Sequence, residues 1–375
     1  MLKQIAYDTS LTSIMLVTNK LENLPTGGRA MLCKLNHDAL EDLYGESLVL
    51  FEPTRSRLQG LTSIVNAFRG RIDGLDNAVI AEALQTILAK KVGKVFVDGS
   101  NLGEFVKIVK QRLPGVEICT FFHNVEARFF WGSLRQTKTL HAFAVLIVNY
   151  LAERKSVRYS DKLICLSERD SRLIHRLYGH SATHVSPMAL KDKPPEGNAP
   201  SHVAQGEKFA LFVGGGFYAN RVGITWFVKH VAPRIRIKTL IVGWGFEELK
   251  DELELDGKVE VIGAVDSLAQ WYQGAHFVIA PIFDGSGMKT KVAEALMFGK
   301  KIVGTSEAFS GYEGVADLAG WECATADDFV AAIECAQNQS LKSFDPELRA
   351  LYEEKYSFTA ARERLALILG DKLLR

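Results

Sequence analysis

The chain has 375 residues, is 47% hydrophobic and 24% charged, and its 45 basic and 44 acidic side chains leave a net charge of +1. At roughly 100–200 residues per domain, this length predicts two domains, each able to bury its own core. Near-neutral charge removes the electrostatic case for nucleic acid as a partner. The N-terminus MLKQIAYDTS carries no apolar signal core, which predicts a cytoplasmic protein. No stretch has the roughly eighteen apolar residues needed to span a bilayer. The most apolar one, Leu140 to Lys155, contains His141 and Asn149 and reads as a core helix. Cys33, Cys119, Cys165, Cys323 and Cys335 form no C-x-x-C pair and read as reduced, buried thiols. His180 and His184 stand four apart, as ligands on a helix could, but no third ligand accompanies them.

In chain order, the apolar runs SIMLVT, SLVLFE, KVFVD, EICTFF and KLICLS alternate with helical patterns. The segment KDKPPEGNAPSHVAQG, residues 191–206, has the Pro, Gly and polar content of a linker. After it FALFVG, TLIVG, VEVIG, HFVIAP and KIVGT again alternate with helices. Continuous β-branched runs separated by amphipathic helices predict parallel strands covered on both faces. The expected organisation is therefore domain 1–190, linker 191–206, domain 207–357, and a terminal helix in 358–375 able to pack back on the first domain. Ligands of such sheets sit beyond the carboxyl ends of the strands, so the strand-end loops hold the candidate residues.

The most informative loop follows HFVIAPIF. The strand is expected to end near Ile282, and the two glycines of Asp284-Gly285-Ser286-Gly287 favour a tight turn before a helix capped at Gly299. Strand, glycine turn and helix N-terminus together suit a phosphate. Lys289 and Lys291 fall in the first helical turn, where the dipole disfavours a cation by roughly 0.3–1 kcal/mol, so an anion is expected nearby. A solvated lysine face is the plainer alternative. Glu294, about one turn on, can accept hydrogen bonds from two ribose hydroxyls.

The run D-G-S-G-M-K-T-K-V-A-E-A-L, followed by G-K-K-I-V-G-T, resembles the donor-binding signature of the retaining family 4 glycosyltransferases of the GT-B fold, in the form used for bacterial polysaccharide assembly. That resemblance implies an α/β chain of two doubly wound Rossmann-like domains facing a central cleft. Its donor would be a nucleotide sugar and its acceptor a glycan or lipid-linked glycan, with no nucleic acid and no cofactor. Glu294 matches the last Glu of the family's E-x₇-E motif, whereas Ser286 stands where the first Glu belongs. This departure speaks against a carboxylate nucleophile. It moves the sugar and phosphate contacts to the backbone of Gly287 and Met288 and to Lys289, which with His123 is expected to be catalytic. The resemblance extends to Gly214, Gly215 and Gly216, a glycine loop for the donor diphosphate or else a plain turn, with Arg221 as the nearby cation. Nicotinamide fits less well: Ala219 breaks G-x-G-x-x-G, and no acidic residue ends TLIVG.

The turn Gly263–Val265 would border the nucleobase. His123, at the end of EICTFF, would stand beside the donor sugar, and Gly27-Gly28 would approach the diphosphate from the first domain. Asp98 and Ser100 in DGSN, with Asn124 and Glu126, are acceptor-side candidates. No D-x-D motif is present, so transfer is expected to need no metal. The rivals are a nucleotide-sugar epimerase of the same fold and a non-catalytic GT-B-like scaffold. Aromatic and basic residues around Phe129, Phe130, Trp131 and Arg135 admit peripheral contact with a membrane, beside a core role for the aromatics.

Overall fold

The computed structural model describes residues 13–22, 27–53, 66–72, 74–193, 206–338 and 344–370, and most of the expected linker (194–205) lies outside them. The chain divides into two compact units, Met1–Pro187 with Ala361–Arg375, and Met188–Ala360.

Unit 1 runs β1 (Ser13–Val17), α1 (Gly28–Tyr44), β2 (Leu48–Phe51), α2 (Asn77–Ala89), β3 (Val92–Asp98), α3 (Gly103–Arg112), β4 (Glu117–Phe121), α4 (Glu126–Thr137), α5 (Leu140–Tyr159), β5 (Lys162–Cys165), α6 (Glu168–Tyr178) and β6 (His184–Val185). Its strands form a parallel sheet of order β2-β1-β3-β4-β5-β6. The apolar runs are strands because both faces are covered: Ile14, Met15, Leu16 and Val17 are all inaccessible to solvent, as are Val95, Phe96 and Val97. His184 opens β6, so His180 and His184 do not share a helix face.

Unit 2 runs β7 (Phe209–Val213), α7 (Tyr218–His230), β8 (Lys238–Val242), β9 (Val259–Gly263), α8 (Ala269–Gly274), β10 (Phe277–Ala280), α9 (Thr290–Met297), β11 (Ile302–Gly304), β12 (Gly320–Glu322), α10 (Ala326–Asn338) and α11 (Pro346–Lys355). Its parallel order, β12-β11-β10-β7-β8-β9, is that of a Rossmann sheet, with the reversal between β7 and β10. β10 stops at Ala280, short of the expected Ile282, because Pro281 cannot donate to the ladder. Gly223 lets α7 lie against this exit: a Cβ there would meet the Pro281 carbonyl oxygen at 1.8 Å. The terminal helix α12 (Phe358–Leu369) ends on unit 1, where Lys94 and Lys162 donate to the carbonyls of Leu369 and Ile368.

Candidate functional site

In unit 1 the strand order reverses between β1 and β3, and the residues leaving these strands meet there. Thr18 Oγ1 donates to Asp98 Oδ2 at 2.9 Å, and Asn36 Nδ2, from α1, donates to Oδ1 at 2.9 Å. His123, two residues past β4, places Nε2 3.0 Å from the same Oδ1. Burial pushes the Asp98 carboxyl up. The His123 charge and hydrogen bonds from His123, Cys33 and Asn36 outweigh it and bring the pKa down to about 2. With Nε2 turned to Asp98, His123 keeps Nδ1 for another partner, and among the described residues that buried atom has none.

This changes the reading of the acceptor-side candidates. Asp98 is 1% exposed, its oxygens accept from Thr18 and Asn36, and Oδ1 also lies against His123. Ser100 is likewise internal, donating to Glu153 at 2.8 Å. Glu126 is buried in the first turn of α4 and lies 4.0 Å from Arg29. Asn124 alone of the four stays half-buried, with Oδ1 unbonded among the described residues. Gly27 precedes α1 at φ 85 with open space where a Cβ would stand, so the left-handed backbone explains this glycine, while Gly28 is the first residue of the helix.

Cys33 Sγ, an Asp98 oxygen and a His123 nitrogen lie within 4.8 Å of one another, a set with metal-ligand spacing, and His37, Asp38 and Glu41 form a second. In the first, burial and the Asp98 charge push the Cys33 thiol up, which opposes the thiolate a metal would need.

In unit 2 the loops after β7 and β10 flank the reversal of strand order. The three glycines answer first to packing by their own unit. A Cβ on Gly214 would meet Asn220 at 2.5 Å, on Gly215 the Trp244 ring at 2.9 Å, and on Gly216 the Gly245 carbonyl oxygen at 2.5 Å. Asn220 Nδ2 donates to the Gly215 carbonyl, and its Oδ1 accepts from Lys291 Nζ at 2.9 Å. That ammonium is buried, lies 4.2 Å from the centre of the Phe212 ring, and has its pKa lowered by desolvation to about 7. Arg221, in the first turn of α7, donates to the Gly245 carbonyl at 3.3 Å and ties that helix to the loop after β8.

Lys289 is not the unbalanced cation its position suggested. It is the N-cap of α9, and its Nζ lies 2.9 Å from both Glu307 Oε1 and the Gly287 carbonyl oxygen. The buried cation beside the glycine loop is Lys291, which the sequence places with Lys289 in the first helical turn near an expected anion but does not single out as a site residue. Lys289 caps the helix with extended backbone while Lys291 lies inside its first turn, and the two ammoniums meet different partners. A local signal existed, but Asn220, which fixes the choice, is 71 positions away.

Gly287, at φ 66, turns the loop into α9; Ser286 is half-buried, and the Met288 side chain is spent in the interior, where its sulfur accepts from the Met188 amide. Glu294 is 4% exposed, with Tyr272 donating to Oε2 at 2.8 Å and Lys193 3.4 Å from Oε1. The Tyr272 ring stacks on Phe298, which orients the hydroxyl. Val265 follows a turn held from below by Glu247, a residue sequence reasoning missed, whose carboxylate accepts from the amides of Gly245 and Ala264.

Two parallel sheets with strand-end loops of this kind define the GT-B fold. The solved structures similar to this chain have it too. Sucrose-phosphate synthase from Thermosynechococcus elongatus matches with a TM-score of 0.68 at 14% identity, over 96% of this chain and 98% of that one. Anabaena HepE in complex with UDP-glucose matches at 0.64 and 12% identity, over 96% and 100%. The lipopolysaccharide outer core galactosyltransferase WaaB matches at 0.61 and 13% identity, over 96% and 99%. Residues 207–338 match the family model described as glycosyl transferases group 1, which covers the strands, glycine loop, Lys291 and Glu294 of unit 2. No curated protein sequence matches.

Proposed function

We propose that the chain is a retaining, metal-independent glycosyltransferase that moves a sugar from a nucleotide-sugar donor to a glycan or lipid-linked glycan acceptor. The observation that carries this reading is the buried ammonium of Lys291 beside the Gly214–Gly216 loop, one helical turn from the buried carboxylate of Glu294. A cation for phosphates and an acceptor for ribose hydroxyls stand at the two ends of what a nucleoside diphosphate presents. The glycosyl transferases group 1 match over the same residues and the UDP-glucose in the HepE structure support it.

In the proposed step the acceptor hydroxyl oxygen bonds to the anomeric carbon on the face the nucleotide leaves, and the carbon–oxygen bond to the diphosphate breaks. The hydroxyl proton passes to a donor phosphate oxygen, so the products are a glycoside and a nucleoside diphosphate. Charge grows on the leaving diphosphate, where Lys291 and the loop amides stabilise it. In unit 1, His123 is held by Asp98 and keeps Nδ1 for a hydroxyl partner.

Incubation with a panel of nucleotide sugars and candidate acceptors, read by nucleoside diphosphate release and by the anomeric configuration of the product, tests the reading. Inversion would remove the retaining step, and epimerised donor without acceptor would favour the epimerase. Activity is expected to survive EDTA; loss on chelation with recovery on adding Mn²⁺ or Mg²⁺ would refute metal independence. Glu294→Ala is expected to weaken nucleotide binding by roughly 1.5–3 kcal/mol through loss of a charge-assisted acceptor. Calorimetry with an unchanged dissociation constant would take Glu294 out of the site.

A further inference from the structure

The hairpin of α4 and α5 has a surface to which none of the proposed donor-binding residues belongs. The first eight residues of α5, LHAFAVLI, are apolar apart from His141, yet none is fully buried. Leu140 is 89% exposed and Phe143 51%, and Ile147 and Leu151 continue their stripe down the helix as half-buried residues. On α4, Trp131 is 50% exposed with Arg135 one turn further along the same face. An apolar surface left open in this way marks a site of contact.

The charges say with what. Residues 126–160 carry Arg128, Arg135, Lys138, Arg154, Lys155 and Arg158 against two acids, Glu126 and Glu153, both buried. Glu153 accepts from Ser100, Tyr178 and the first amides of α4, and Glu126 lies 4.0 Å from Arg29. Lys155 is paired with Glu104 at 2.7 Å, so in a chain whose total charge is +1 the hairpin surface carries an excess of cations from Arg128, Arg135, Lys138, Arg154 and Arg158. A second copy is a poor occupant, because a two-fold contact would set the same cations against each other. Among the described residues no helix is long and apolar enough to cross a membrane. We propose that this face of α4 and α5 docks on an anionic lipid bilayer, with Trp131, Leu140 and Phe143 entering the headgroup–acyl boundary and Arg135 and Lys138 held among the phosphates. Tryptophan and basic side chains are suited to that boundary.

The test is co-sedimentation of the full chain with phosphatidylcholine vesicles and with mixed phosphatidylcholine–phosphatidylglycerol vesicles. Salt-sensitive binding to the mixed vesicles alone is expected. Arg135→Glu with Lys138→Glu should weaken it at least about 25-fold, from roughly fivefold for each cation near the surface. Leu140→Glu with Phe143→Glu should abolish it, while melting temperature and nucleotide binding stay unchanged because both side chains are exposed. Absence of binding to the mixed vesicles, or binding undiminished in both variants, overturns the proposal. So does a dimer in light scattering that the Leu140 and Phe143 pair disrupts, or an RNA complex that depends on the same cations.

Discussion

Lys291→Met is expected to lower kcat/KM by roughly a hundred- to a thousandfold, the scale on which loss of one transition-state donor acts, while making the folded protein more stable at neutral pH. The Nζ is buried against Asn220 Oδ1 and Phe212, and its pKa falls from 10.5 to about 7. Since the unfolded chain holds this proton up to about pH 10.5, the buried site opposes folding by a few kcal/mol at pH 7 and below. The penalty fades as pH rises from 7 to 10.5, where the unfolded state also gives up the proton. Methionine keeps the stem and removes this conflict, although it leaves Asn220 Oδ1 without its donor, a cost of roughly 1–3 kcal/mol. The net gain is roughly 1–3 kcal/mol at pH 7, shrinking towards pH 10. Thermal melts across this range and steady-state kinetics check both halves. Lys300 supplies the contrast, as a buried lysine that donates to the carbonyls of Gln273 and Ala275 and has a structural role. If Lys291→Met proves unstable but fully active per folded molecule, Lys291 belongs in that class and the diphosphate site is wrong.

Asp98→Asn is expected to reduce kcat by roughly 10²–10⁴-fold, the range associated with a positioned proton-transfer or hydrogen-bonding group, with little change in KM. Asparagine fits the space: its oxygen can keep the bonds from Asn36 and His123, and its NH₂ can donate to Thr18, whose hydroxyl then accepts. What disappears is the charge that fixes the imidazole with Nε2 inward. Because the Asp98 pKa is lowered from 3.8 to about 2, its ionised form stabilises the fold above pH 3.8, and this contribution is lost as pH falls towards 2. The shift amounts to about 2 kcal/mol, so the variant should lose about that much stability at pH 7 and show a flatter acid-unfolding profile. A matching fall in His123→Asn activity, with no further fall in the double variant, would show that the two act as one unit. Full activity in Asp98→Asn would leave His123 positioned by packing alone.

The two predictions rest on different kinds of legibility. The sequence by itself determined the strands, because runs such as FALFV and FVIA are apolar on both faces and stay so wherever they are placed in a sheet. It also determined the loop–helix at residues 284–297, because glycine, N-terminus and amphipathic spacing are local properties. Glu294 and His123 could be singled out for the same reason: each stands at a fixed distance from a strand end. Only the tertiary structure decided which groups those residues meet. Lys289 found Glu307, 18 positions on, and Lys291 found Asn220, 71 positions back. Asp98 meets Thr18, Asn36 and His123, which arrive from β1, α1 and the end of β4. The glycines of the 214–216 loop proved to be demanded by Asn220, Trp244 and Gly245 before any ligand. Local rules fix the backbone near each residue. Partners of buried polar groups come from chain segments far apart in sequence, and no spacing encodes which of them packing will bring within hydrogen-bond reach.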